Sequence, residues 1–281
     1  MSKVFIRCAQ VLVVAIVVVI VFYPLYQTLI LSLRSSADIQ EYITQVHSRG
    51  VRFIPVYLVP RAFSLEQYSE VFNDAFLRPY GVAIFYVMVI TALHFPIAFV
   101  LGFIFAKVRF RGRNVLFFFF IASMVLPFHV TVVPLNQILH RLHLFNTPWA
   151  VILPGAFAPL GVFLFRQFIN QVPDEILEAA AIDGAGLLRT LAAIVLPVIR
   201  SGLAVFFLLT ITMQWSAIEH ALAFVRNERW QPVSLWLRGV MASDPAQIFA
   251  PGILYALPMF IVVIIVAMRI KDGEIGSQLS V

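Results

Sequence analysis

Charge is what this sequence has least of. Of 281 residues only 12% are Asp, Glu, Lys or Arg, against 61% hydrophobic, and the mean hydropathy is +0.94. A soluble domain carries about 25% charged residues, so this composition excludes one and indicates a polytopic membrane protein. Cysteine is nearly absent too. The single Cys8 excludes an internal disulfide and any multi-cysteine metal site. It follows Phe5-Ile6-Arg7, which lacks the apolar and small residues that precede a lipidated cysteine, so it reads as a small apolar side chain. No G-x-x-x-x-G-K-[ST] phosphate loop occurs, and no pair of the six histidines has metalloprotease spacing. No catalytic, cofactor-binding or metal-ligating residues are therefore expected. The formal charge of +6 reads as membrane topology rather than nucleic-acid binding.

Apolar stretches of bilayer length lie at about 8–33, 82–106, 115–134, 147–165, 198–214 and 250–268. The first follows Lys3 and Arg7, is too long for a signal-peptide core and has no small-residue cleavage site, so it reads as a retained span. Lys107, Arg109, Arg111 and Arg113 form the densest basic cluster and mark the cytoplasmic face. Arg269 and Lys271 after the last span put the C-terminus on that side as well. The segment 34–81 then falls outside despite Arg34, Arg49, Arg52, Arg61 and Arg78, since long loops obey the charge rule less strictly. Pro127 lies inside the third stretch and Pro134 ends it, so this helix is expected to be kinked or broken. His94 and His129 lie within or near spans, where ionisable residues are functional candidates. The simpler reading is a neutral imidazole bonded between helices. The run Phe117, Phe118, Phe119, Phe120 reads as lipid-facing or packing side chains.

The stretch 172–203 interrupts this pattern with a polar, turn-punctuated segment. Pro173 suits a first helical position, with Asp174 and Glu175 in the first turn, where negative charge is favoured. Glu175, Glu178, Ala179 and Ile182 share one face. Asp183-Gly184 supplies the stop, a second helix runs from about Leu187 to Val195, and Pro197 marks the next break or kink.

Three parts of this stretch, Glu178-Ala179-Ala180, Asp183-Gly184-Ala185 and Ile194-Val195-Leu196-Pro197, resemble the EAA loop of binding-protein-dependent ABC importer permeases. Further elements are similar to the maltose-permease-like, carbohydrate-type group: Tyr23-Pro24-Leu25 and Ser32-Leu33 at the end of the first span, Phe63-Ser64-Leu65-Glu66-Gln67-Tyr68, the paired prolines Pro127 and Pro134, and Leu144-Phe145-Asn146-Thr147. Arg200 stands where the family often has proline, and Trp215-Ser216 where it often has Trp-Asn.

The resemblance implies an all-α membrane protein with six transmembrane helices, the type I importer permease fold and both termini cytoplasmic. It would be one transmembrane domain, residues 1–281, in the bacterial inner membrane. It implies a second, non-identical permease, two ATPase subunits and an external solute-binding protein as partners, beside the lipid bilayer and without nucleic acid. ATP and Mg would sit on the ATPase and none in this chain. The loop 172–197 would be cytoplasmic and couple to the ATPase through Glu178, Ala179, Ala180, Asp183, Gly184, Ala185, Leu196 and Pro197. Pro127, Pro134 and Trp215 are candidate gate or path residues. The solute would be a sugar or sugar-like molecule, with phosphate esters, polyamines or peptides as the alternative. A secondary transporter would need internal repeats or embedded charge pairs, and a membrane enzyme would need clustered acid, base or metal ligands. Neither is present in the sequence.

Overall fold

The computed structural model describes residues 2–48, 57–60 and 62–278, with side chains at 5, 7–46, 57–60 and 62–268. Arg49, Arg52 and Arg61 of the expected external segment lie outside the described residues, as do the side chains of Lys3, Arg269 and Lys271. The described residues are mostly helical, without a strand. In order they form α1 (Ser2–Ser32), α2 (Ser36–Ser48), α3 (Glu66–Val71), α4 (Asp74–Lys107), α5 (Arg113–Met124), α6 (Phe128–Arg141), α7 (Trp149–Ala156) and α8 (Pro159–Asn170). Then follow α9 (Asp174–Ile182), α10 (Leu187–Thr190), a π-turn (Leu191–Val195), α11 (Leu196–Val198), α12 (Arg200–Ser216), α13 (Glu219–Phe224), α14 (Val233–Ser243) and α15 (Phe249–Gln278). Four of these segments are long and apolar enough to cross a membrane, and two bent helix pairs bring the number up to six. The chain divides into two compact units, Met1–Arg78 with Trp236–Pro258, and Pro79–Leu235 with Met259–Val281.

In the first unit, the end of α1 leaves carbonyls without intrahelical partners, and residues some thirty positions later supply donors. The Gln67 amide donates to Leu31 O and Arg34 O, both at 2.8 Å, and the Ser64 N–H donates to Leu33 O at 2.9 Å. The hydroxyls of Tyr68 and Ser32 pair at 2.9 Å. The two sequence elements singled out at Ser32-Leu33 and Ser64–Tyr68 are thus halves of one clasp. Leu31, Ile39 and Ala246 form the small core beneath it. Arg34 is buried at 2% exposure, with its guanidinium over the Tyr57 ring at 4.2 Å and 3.8 Å from Asp38.

The second unit is built on phenylalanine. Phe99, Phe103, Phe105, Phe117, Phe165 and Phe206 lie in one cluster contributed by α4, α5, α8 and α12. The aromatic run splits by helical spacing. Phe117 is buried and Phe120 packs on the same cluster, whereas Phe118 and Phe119 are exposed. Gly102 lets α4 and α8 touch, because a Cβ there would stand 2.5 Å from the Phe165 Cβ.

The proline breaks are partly where expected. Pro127 is the N-cap of α6 in an extended conformation, and α5 and α6 meet at 105°. Pro134, expected to end the helix, lies inside α6, which continues to Arg141. Pro134 and Val130 are both exposed, so the proline ring falls on the outer side of the helix and displaces no packed neighbour. Pro197 does not break the chain either. The preceding π-turn widens the helix, which eases the approach of a proline ring to the carbonyl four residues back. The bend of 86° comes at Ile199 instead, between α11 and α12.

Gln67→Leu removes the donor to two carbonyls at the end of α1. It is expected to cost about 1–3 kcal/mol, read as a lower melting temperature of the purified chain in detergent. An unchanged melting temperature would make the clasp incidental.

Candidate functional site

The polar loop is held at both ends and presents its middle to solvent. Pro173 is the N-cap of α9 rather than its first residue, so Asp174 opens the helix. There the side chain of Lys107, last residue of α4, donates to Val172 O at 2.6 Å and to the Asp174 carboxylate at 2.5 Å. Lys107 is only 13% exposed. This hydrogen bond, then the lysine charge and the nearby Arg109, hold the Asp174 carboxyl below its ordinary 3.8. The pair is therefore complete above that value and opens only as pH falls through the lowered one. Neighbouring helix ends are closed likewise: Arg166 Nε donates to Phe105 O at 3.2 Å, its guanidinium 3.7 Å over the Phe117 ring.

Helix α9 ends in a Schellman motif. The Ala185 N–H donates to Ala180 O at 2.9 Å and the Gly184 N–H to Ala181 O at 3.1 Å, with Gly184 at φ +76°. No atom would meet a Cβ at Gly184, so glycine is required there by backbone conformation alone. Beyond the turn, Leu191, Val195 and Ile199 enter the phenylalanine core at i, i+4, i+8 spacing, and Leu177 and Leu196 pack against it.

What remains outward is acidic and apolar together. Glu175 and Glu178 are exposed, and so are Ile182 at 87%, Leu187 at 58% and Leu188 at 79%. Large apolar side chains exposed beside acidic ones, around the turn that joins α9 to α10, mark an interaction surface. Of the residues singled out from the sequence, Glu178, Ala179, Asp183, Gly184 and Pro197 are exposed. Ala185 and Leu196 are half-buried, and Ala180 is buried. Sequence reasoning missed Lys107, Leu187 and Leu188 as parts of this site. It also missed the anchor at Leu191, Val195 and Ile199, whose spacing was the available signal.

The candidate path residues sit on other elements. Pro127 and Pro134 are exposed on α6. Trp215 is buried at the end of α12, edge-on to Tyr80 with ring centroids 5.6 Å apart. His94 is buried in α4 and its Nε2 meets Ala158 O at 3.0 Å, at the break between α7 and α8. It is therefore an imidazole bonded between helices. His129 is exposed on α6.

Residues 98–272, more than half of the chain and including the whole loop, match the family described as the binding-protein-dependent transport system inner membrane component. The chain belongs to that family. Protein LplC of Bacillus subtilis is 33% identical over 185 residues, covering 66% of this chain and 62% of that protein. The arabinooligosaccharides transport system permease protein AraQ of Halalkalibacterium halodurans is 29% identical over 215 residues, 76% of this chain and 74% of its own. The sn-glycerol-3-phosphate transport system permease protein UgpE of Yersinia enterocolitica is 26% identical over 273 residues, 93% of each. Among solved structures, a chain of a bacterial ABC transporter involved in import of the acidic polysaccharide alginate superposes with a TM-score of 0.80. The identity is 20%, over 95% of this chain and 97% of that one, which establishes a shared fold. The resemblance carried by the loop motif thus holds for both family and fold, and the protein is a multi-pass permease of the inner membrane.

In this permease the lysine latch is open to test. Lys107→Met is expected to speed amide exchange at residues 172–176 severalfold while leaving the interior of α4 protected. Asp174→Asn, which keeps the Val172 bond, should fall between. After correction for intrinsic exchange, protection in the wild type should not change between about pH 5 and 8, where the carboxylate stays ionised. Equal exchange in all three proteins would remove the latch.

Proposed function

We propose that this permease forms half of the translocation path of an ATP-driven importer for a sugar or sugar-like solute. It receives the ATPase stroke through the loop of α9 to α11. The observation that carries the coupling role is the outward acidic and apolar surface, held firmly by Lys107 at one end and the core anchor at the other. A surface that is both exposed and rigidly seated can transmit displacement to α12, which follows the 86° bend.

The partners in this reading are a second permease, two ATPase subunits and a solute-binding protein. The loop and both termini face the cytoplasm, consistent with the basic cluster from Lys107 to Arg113. ATP and Mg belong to the ATPase, since this chain has no phosphate-loop sequence. The relatives' names support a sugar-like solute. A phosphate ester is the second reading, favoured by the glycerol-3-phosphate permease that matches over 93% of both chains.

The loop supplies the test. Gly184→Val forces a branched side chain into the left-handed conformation, at about 1–2 kcal/mol, and should misplace α10. Glu178→Lys reverses a charge on the outward face. Both variants should insert and assemble with the partner permease, yet lose most solute-stimulated ATP hydrolysis in reconstituted vesicles. Wild-type ATPase capture and stimulation in both would show that the loop does not couple.

A further inference from the structure

Within the first unit, α2, α3, the start of α4 and the segment from Trp236 to Pro251 enclose a cavity of ≈ 300 Å³. That is the lower end of the range for small-molecule sites. One wall is closed internally. The Asp244 carboxylate accepts from the Gln40 amide at 3.2 and 3.3 Å, from the Gln247 amide at 3.0 Å and from the Ala246 N–H at 3.1 Å. This carboxylate is therefore part of the frame. The opposite wall has capacity left over. Gln67, 5% exposed, spends its amide nitrogen on the clasp with α1, and its Oε1 has no partner among the described residues. The Glu70 carboxylate beside it has one long contact, 3.5 Å from the Ser36 hydroxyl. Phe76 and Trp236 also line the cavity, edge to face with centroids 5.4 Å apart.

We infer that this cavity is a binding site for an uncharged saccharide. The unspent groups, Gln67 Oε1 and the Glu70 carboxylate, are acceptors, so they require a ligand that donates hydrogen bonds. Hydroxyl groups do so. The lining holds two carboxylates and no Lys, Arg or His, so it disfavours phosphate esters and acidic sugars. A metal ion does not suit it either, because no group of three His, Cys, Asp or Glu that could hold one exists among the described residues. Trp236, half-buried in the lining and backed by the buried Phe76, offers an apolar surface to the C–H side of a sugar ring. The volume suits the end of a saccharide rather than a long chain. The inference rests on the sugar-importer reading above and narrows its solute to neutral sugars.

The experiment uses the assembled transporter in lipid nanodiscs without its solute-binding protein. Equilibrium dialysis is run with radiolabelled maltose, cellobiose and arabinobiose, and with glucose 6-phosphate and putrescine as charged probes. At least one neutral disaccharide should bind, and neither charged probe should. Glu70→Gln and Trp236→Ala should each weaken that binding at least fivefold, with melting temperature as the folding control. If Trp236→Ala does not fold, Glu70→Gln alone decides. The inference is overturned if no neutral disaccharide binds, if a charged probe binds better, or if the variants that fold bind as wild type does. ATP-driven uptake into vesicles containing the binding protein separates the two readings. Sugar uptake with an unchanged KM in the cavity variants removes the site and keeps the importer. Binding at the cavity without uptake of any sugar keeps the site and removes the solute assignment.

Discussion

Backbone groups freed at helix ends and breaks need partners, and in this chain several of them take a donor from a residue distant in sequence. At the end of α1 the donors are the Gln67 amide and the Ser64 N–H. At the break between α7 and α8 the buried His94 ring reaches the Ala158 carbonyl. At the end of α4 the carbonyl of Phe105 takes the Arg166 side chain, and Lys107 crosses to the Val172 carbonyl ahead of α9. All but the Ser64 N–H are polar side chains, placed where a helix has stopped. Lys107 and Arg166 place two of the chain's few charged side chains at such points.

That economy explains how a polar loop can be both outward and stiff. A solvent-facing helix pair of this length would be marginal alone. Here Lys107 holds the first turn, the left-handed Gly184 fixes the angle to the second helix, and Leu191, Val195 and Ile199 sink into the phenylalanine cluster. The π-turn at Leu191–Val195 lets the helix carry Pro197 without breaking, which defers the bend to Ile199. The outward residues Ile182, Leu187 and Leu188 contribute nothing to the chain's own core. Their exposure makes sense as part of a surface completed by another subunit.

The same logic gives His94 a structural meaning. An ionisable residue inside a span invites a functional reading, and the geometry assigns it to closing a broken helix. Trp215, read as a candidate for the path, is likewise buried in an aromatic contact with Tyr80.

By itself the sequence determined the class of the protein, the loop with its glycine stop, and the family. These rest on composition, on periodicity and on motifs within a few residues, all of which are local properties of the chain. Pro127 was legible as a break because proline acts on its own backbone. Pro134 and Pro197 were not legible as continuations, because that depends on an exposed helix face and a π-turn. Only the tertiary structure decided which phenylalanines pack, that Lys107 holds residues 65 and 67 positions away, and that Ser64–Tyr68 clasps the end of α1 some thirty residues earlier. The physical reason is that a freed carbonyl takes whichever donor the fold brings to it, and proximity in space is not written in the spacing along the chain.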